Sequence, residues 1–356
     1  MHIITLSDKK VGEGQPVFVT CEAGVTNYGE FEIARRQIDA AVAAAADAIK
    51  FQWWKTERLV SRAVAKRLEP ELGYNWFDRM KYKELSEDEM HRLQGYARDQ
   101  GIAFYATPHD DESIAFLDQE LGVPYFKVGS GESHNYGFLK KVGRCAKPVS
   151  ISFGLQTEQE AIRAVETLRD AGAAGIIALH CVTKYPMKYH EVGLPRIARL
   201  RQILGVPVGI SDHTVGWHVP LAAVALGAVA IEKHVTFDKA DPRSLDNPGA
   251  LLPEEFKVMV SQVRDLEKAL ADTSDEARKI FLATARDWAG QSVVARRVLA
   301  PGTVIAAGDL ACKRPFRGGL PPEAIDVLIG KKVTREIPED EQIQWGDVDR
   351  IGRFVY

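Results

Sequence analysis

The chain has 356 residues, of which 46% are hydrophobic and 27% charged, and its formal net charge is −3 at neutral pH. That suffices for one large domain plus a small one of ordinary globular composition, and the near-neutral balance gives no electrostatic case for nucleic acid or an anionic membrane as partner. The four cysteines, Cys21, Cys145, Cys181 and Cys312, form no CxxC pair and read as free thiols of a reducing compartment. The first ten residues, MHIITLSDKK, hold no apolar signal core, and the longest small apolar run, 219–231, is too short to span a bilayer, so a cytoplasmic location is expected.

In chain order, a β-rich run at 17–21 ends on Glu22, and a stretch at helical spacing follows over 31–48. A second strand is predicted at 48–52. Residues 56–85 form a longer excursion rich in charge and aromatics, including Tyr74, Trp76 and Phe77. Ser86 followed by three acidic residues reads as a helix N-cap, with the helix running to about 100. Further strands are predicted at 102–106, 125–128, 148–152, 175–179, 206–210 and 228–231, with helices at 112–121, 135–144, 157–171, 197–204, 219–226 and 253–271 between and after them.

Eight strands alternating with helices over this length is the count of a (β/α)8 TIM barrel, an α/β fold, and the continuous apolar character of the strands suits a sheet covered on both faces. A doubly wound sheet is disfavoured, because CEAGVTNYGE after the first strand is not a G-x-G-x-x-G phosphate loop. Residues 1–272 are assigned to the barrel and 273–290 to a linker with some helical potential. Residues 291–356 form a small, mostly β module marked by turn signals at 300–302 and 315–319.

The C-terminal strand ends are polar: Glu22; Lys50 with Gln52; Thr107; Lys127 with Ser130 and Glu132; Ser152; His180; Ser211 with His213; and Lys233 with His234. In a barrel these ends converge on one mouth, where barrel enzymes place their chemistry. Lysines and hydroxyls together suit a phosphate or carboxylate. His213 and His234, at neighbouring strand ends, suit one divalent metal with open coordination positions. Glu22 and Glu132 are candidates for base or hydroxyl-binding roles. The residues therefore point to an anionic, phosphate-bearing substrate handled beside a metal. A metal-dependent barrel aldolase or lyase acting on a keto acid, and a non-catalytic protein that keeps the fold, are the other readings of the same pattern.

The motifs taken together resemble the sialic acid synthase family, that is, bacterial N-acetylneuraminate synthases and their pseudaminic and legionaminic acid relatives. They are ExG at 22–24, KFQ at 50–52, TP at 107–108, KVGSGE at 127–132, KPV at 147–149 running on to SFG at 152–154, HC at 180–181 with YP at 185–186, SDHT at 211–214, and EKH at 232–234. The last module resembles that family's antifreeze-like (SAF) domain, with KRP at 313–315 and GK at 330–331 as the best matches. The resemblance implies condensation of phosphoenolpyruvate with an open-chain N-acetylated amino sugar such as N-acetylmannosamine, giving a 2-keto-3-deoxy acid and phosphate. It implies Mn²⁺, or Mg²⁺ or Co²⁺, on His213 and His234. Lys50, Gln52, Thr107, Lys127, Ser130, Ser152, Thr183 and Ser211 would hold phosphoenolpyruvate, with Glu22, Glu132 and Lys127 catalytic. Glu22, Tyr185, Asp246 and Arg314 would meet the sugar, Arg314 from the partner of a domain-swapped homodimer. The chain departs from the family at 26–28, at Phe153 where a threonine is usual, and over 239–249. These changes predict a crowded sugar side and a modified acceptor.

Overall fold

The computed structural model describes residues 3–271 and 274–349. Residues 272 and 273, at the expected boundary of barrel and linker, and 350–356, at the end of the small module, lie outside the described residues. The chain divides into two units, Met1–Leu270 and Ala271–Tyr356.

The first unit opens on an antiparallel hairpin, β1 (Ile4–Leu6) and β2 (Lys9–Val11), which the sequence reading did not foresee. The hairpin packs on the barrel floor: a Cβ on Gly175, the first residue of β8, would lie 2.8 Å from the Ile4 side chain. Eight parallel strands follow. They are β3 (Phe18–Glu22), β4 (Ala48–Trp53), β5 (Ala103–Pro108), β6 (Phe126–Val128), β7 (Pro148–Phe153), β8 (Gly175–His180), β9 (Val208–Asp212) and β10 (Ala230–His234). Their order is β5-β4-β3-β10-β9-β8-β7-β6, so the last strand pairs with the first and the sheet curls into a nearly closed barrel; among the described residues β5 and β6 share no ladder.

Helices begin where the sequence supplies a cap. Ser86 and Glu89 form a reciprocal capping box ahead of Glu87–Asp99, as Thr157 and Glu160 do ahead of Glu158–Ala171, each satisfying N–H groups that the first turn leaves free. The 56–85 excursion is three short helices, Thr56–Leu59, Arg62–Leu72 and Trp76–Lys81, with a small core of Val60, Ala65 and Phe77.

Side chains alternate in and out along each strand, and this period of two decides what reaches the interior. Below the mouth, Phe18, Tyr105 and Tyr125 fill the barrel: the two tyrosine rings lie 4.1 Å apart, Phe18 sits edge-on to Tyr125, and Thr20 shares a 2.9 Å hydrogen bond with the Tyr105 hydroxyl. The cavity above therefore has a solid aromatic floor.

In the second unit the stretch read as a linker holds the helix Asp275–Ala289. After it, β11 (Ser292–Ala295) and β12 (Leu310–Lys313) pair antiparallel, and short bridges such as Leu299 with Ile337 and Val304 with Lys332 complete a mostly β module over a core including Val293, Leu310, Leu328 and Ile343. All four cysteines are free thiols, and among the described residues no helix is long and apolar enough to cross a membrane.

Candidate active site

The strand ends of the first unit line a cavity of about 200 Å³. Thirteen predicted site residues face it: Glu22, Lys50, Gln52, Thr107, Lys127, Ser130, Glu132, Ser152, Thr183, Tyr185, Ser211, His213 and His234. In the parallel ladders, Glu22 on β3 is level with Lys50 on β4 and with His234 on β10, and Gln52 is level with Thr107 on β5. Three residues also line it: the motif residues Glu232 and Cys181, left without a role in the sequence reading, and His109, which that reading missed. Glu232 could have been found, since period-two alternation puts it on the face of β10 that carries His234. His109 directly follows Pro108, where the sequence reading ended the strand.

One wall is a buried charge network. Lys50 Nζ lies 2.9 Å from Glu22 Oε2 and 3.5 Å from Glu232 Oε2, and it donates to Thr107 Oγ1 at 3.1 Å. Lys127 Nζ is 3.7 Å from Glu232 Oε1 and donates to the Val128 carbonyl at 3.0 Å. Burial opposes the charge on both lysines. For Lys50 the two carboxylates outweigh it and hold the ammonium above its ordinary pKa, whereas Lys127, with a more distant carboxylate and Lys50 nearby, is held below. Burial likewise opposes ionisation of Glu232, but Lys127 and Lys50 overcome it and hold the carboxyl well below the usual range. Lys127 is thus the desolvated cation that gains most from an incoming anion.

The hydroxyls around it have protons to give. Thr107 Oγ1 accepts from Lys50, and Ser130 Oγ accepts from the Gly154 N–H at 2.9 Å, so each can donate its own proton elsewhere; Ser152 Oγ is buried with no partner. Ser211 differs, because its hydroxyl is committed to Glu232 Oε1 at 2.9 Å. Gly154 makes this packing possible: a Cβ there would fall 2.4 Å from Thr183 Oγ1 and 2.7 Å from Ser130 Oγ.

Opposite, the His213 and His234 ring centroids lie 5.5 Å apart, with the Tyr185 ring tilted against His213 at 4.2 Å. His213 Nδ1 is 2.9 Å from the Val182 carbonyl. A carbonyl only accepts, so Nδ1 carries the proton and Nε2 keeps its lone pair. Burial, then His234, pushes His213 down to about 4, so the ring is neutral near pH 7. His234 Nδ1 is buried without a hydrogen-bond partner, 3.7 Å from Asp246 Oδ2. Gly24 (φ +55°) lets the first loop cross here, since a Cβ would sit 2.6 Å from His234 Nδ1 and 2.8 Å from Asp246 Oδ2. A neutral His213 beside the buried orphan nitrogen of His234 fits a divalent metal. Among the described residues no three His, Cys, Asp or Glu side chains converge on one point, so such a metal would have two protein ligands and open positions.

Glu132, in the loop after β6, receives a 2.9 Å hydrogen bond from His109 Nδ1. Burial would raise its pKa, but His109 and a backbone N–H outweigh that and hold the carboxyl below its ordinary value.

Several expectations need correction. Lys233 is not a mouth cation. On β10 it points opposite to Glu232 and His234, is fully buried, and pairs with Asp212 Oδ2 at 2.6 Å. His180 also faces away, with Nε2 2.6 Å from the Val192 carbonyl. Phe153 is fully buried on the face of β7 opposite Ser152 and does not line the cavity, so it does not enlarge that wall. The 26–28 departure is scaffold too: Thr26 donates to the Val235 carbonyl, and the Tyr28 hydroxyl accepts from Asn247. Two further expected residues are placed without bearing on their expected contact with the sugar: Asp246 stands beside His234, and Arg314 is exposed on the second unit.

Fold and site together define a (β/α)8-barrel protein whose mouth combines a buried lysine–hydroxyl cradle with a pair of metal-competent histidines. The NeuB family model matches residues 37–275 and the SAF domain model matches 290–349. The chain belongs to the NeuB family. It is 36% identical over 98% of its length to an uncharacterized protein of Methanocaldococcus jannaschii, of which it covers 99%. It is 34% identical over 92% of its length to an N,N'-diacetyllegionaminic acid synthase of Campylobacter jejuni, covering 98% of that protein. The crystal structure of an N-acetylneuraminic acid synthetase of Leptospira borgpetersenii, in complex with citrate, superposes with TM-score 0.69 at 30% identity, over 80% of this chain and 97% of that one.

Proposed function

We propose that this protein condenses phosphoenolpyruvate with an open-chain N-acetylated amino-sugar aldehyde, giving a 2-keto-3-deoxy sugar acid of the nonulosonate type and inorganic phosphate. The observation that carries the proposal is the cradle. The desolvated Lys127, the unpartnered Ser152 hydroxyl and the free protons of Thr107 and Ser130 face one small cavity beside His213 and His234. That donor set matches a compact dianion with a carboxylate, and relatives named as legionaminic and sialic acid synthases support the product class.

Lys50, Lys127, Thr107, Ser130 and Ser152 bind and orient the enol phosphate, with Gln52, Thr183 and Ser211 completing the wall. A divalent ion such as Mn²⁺, Mg²⁺ or Co²⁺ held by His213 and His234 would supply Lewis-acid polarisation of the aldehyde oxygen. Glu22 and Tyr185 face the sugar from the cavity wall and Asp246 reaches it from beside His234, leaving C3 of the enol phosphate in line with the aldehyde carbon. Glu132 serves the proton traffic of the water that adds at C2, and phosphate departs with cleavage of the C2–O bond. The protein acts as a homodimer in which the second unit of one copy brings Arg314 to the cavity of the other. The test is an assay with phosphoenolpyruvate, Mn²⁺ and a panel of amino-sugar aldehydes, read by phosphate release and product mass. Phosphate release that needs an aldehyde supports the proposal; none with any acceptor refutes it.

A further inference from the structure

His109, like Glu232 and Cys181, is a titratable side chain of the cavity that the proposed reaction leaves unused. It follows β5 directly and lines the cavity together with Glu132. Its Nδ1 meets Glu132 Oε1 at 2.9 Å, its ring stands edge-on to Trp54 with centroids 6.1 Å apart, and its Nε2 is buried with no hydrogen-bond partner. The Glu132 carboxylate is an acceptor, so Nδ1 carries the proton of the neutral ring and Nε2 holds the lone pair. Leaving a buried acceptor without a donor is costly, so a lone pair left this way calls for a partner that arrives with substrate. A carboxylate fixing one imidazole nitrogen of a cavity-lining histidine, with the other nitrogen free of protein partners, is the arrangement of an oriented general base.

We infer that His109 is a catalytic general acid–base and that Glu132 is its positioning residue, the two forming a carboxylate–imidazole dyad at the cavity wall. The inference rests on the condensation proposed above. His109 Nε2 takes a proton from water as the water oxygen bonds to C2 of the enol phosphate. The C2=C3 electron pair forms the new bond to the aldehyde carbon, and the C=O pair becomes an alkoxide. The imidazolium, stabilised by Glu132, returns its proton to that alkoxide. The resulting C2 hemiketal phosphate expels phosphate with the C2–O bonding pair, and its hydroxyl proton leaves with the phosphate, so the ketone forms and the balance closes.

The test compares wild type with His109→Phe and His109→Asn. Asparagine places an N–H near the Nδ1 position and can still hold Glu132, but it has no basic nitrogen at the Nε2 position. The expected result is a kcat loss of roughly 10²–10⁴-fold in both variants, with the KM for phosphoenolpyruvate within about threefold and the thermal midpoint preserved. In wild type, a hydrogen-bonded imidazole N–H proton should be visible by NMR and vanish in Glu132→Gln. His109→Asn with near wild-type kcat overturns the inference, because an anchor for Glu132 is then all that is needed. Wild-type enzyme that releases no phosphate with any aldehyde overturns the functional proposal, and the inference with it. Active wild type beside an unimpaired His109→Asn overturns the inference alone.

Discussion

Asp212→Asn is the perturbation that most sharply separates scaffold from site at the barrel mouth. Asp212 and Lys233 occupy adjacent strands β9 and β10, level in the ladder, with Nζ to Oδ2 at 2.6 Å and both side chains fully buried. Lys233 also donates to the Thr214 carbonyl, and the Thr214 hydroxyl donates to the same Asp212 carboxylate. Burial already holds the Lys233 ammonium below its ordinary pKa, opposed by Asp212. Removing the carboxylate charge strands that ammonium, and breaking a buried pair from one side costs about 3–5 kcal/mol. For a unit of this size 1 kcal/mol moves the midpoint by roughly 2–4 °C, so a fall on the order of 10 °C is expected. The assay is thermal unfolding followed by circular dichroism. Asp212→Leu combined with Lys233→Met, which removes both charges, should recover most of the loss. A single Asp212→Asn variant melting within about 2 °C of wild type would refute the scaffold assignment of Lys233.

Three further outcomes follow from the site. Gly154→Ala should leave the fold intact but abolish the thermal stabilisation given by phosphoenolpyruvate, because the new methyl is driven onto Thr183 and Ser130; an undiminished shift would show that this contact does not shape the cradle. Glu132 is held below its ordinary pKa, so its contribution to stability is complete above about pH 4.3 and lost as pH falls through its lower folded value. The midpoint difference between wild type and Glu132→Gln should therefore shrink below that pH, and a difference that grows on acidification would reverse the sign. Burial pushes the Cys181 thiol up to about 11, so at neutral pH peptide mapping after iodoacetamide should find Cys181 unmodified in the folded protein and modified after denaturation.

The barrel was legible because its signals are local and repeated. Short apolar strands each ended in polar residues, and caps such as Ser86 with Glu89 marked the helix starts. The pairing of the two histidines at the cavity was legible for the same reason, since His213 directly follows β9 and His234 ends the neighbouring β10. What failed was facing. Strands β9 and β10 run two to three residues further than their apolar cores suggest, so Asp212, Glu232 and Lys233 lie within the ladder and period-two alternation sorts them. Residue type alone put Lys233 at the mouth and passed over Glu232. Phe153 was misread in the same way, its bulk being counted against the cavity although its neighbour Ser152 holds the inward position. The His109–Glu132 contact spans 23 positions and depends on how two loops meet, which no spacing in the sequence encodes.

The most direct measurement is single turnover with phosphoenolpyruvate carrying ¹⁸O in the bridge between C2 and phosphorus, in the presence of Mn²⁺ and an N-acetylated amino-sugar aldehyde. The expected result is phosphate bearing the label together with an unlabelled keto acid extended by three carbons, lost in both His213→Ala and His234→Ala. Label retained in the keto acid, or phosphate released at the same rate without any aldehyde, would contradict the condensation proposed for this cavity.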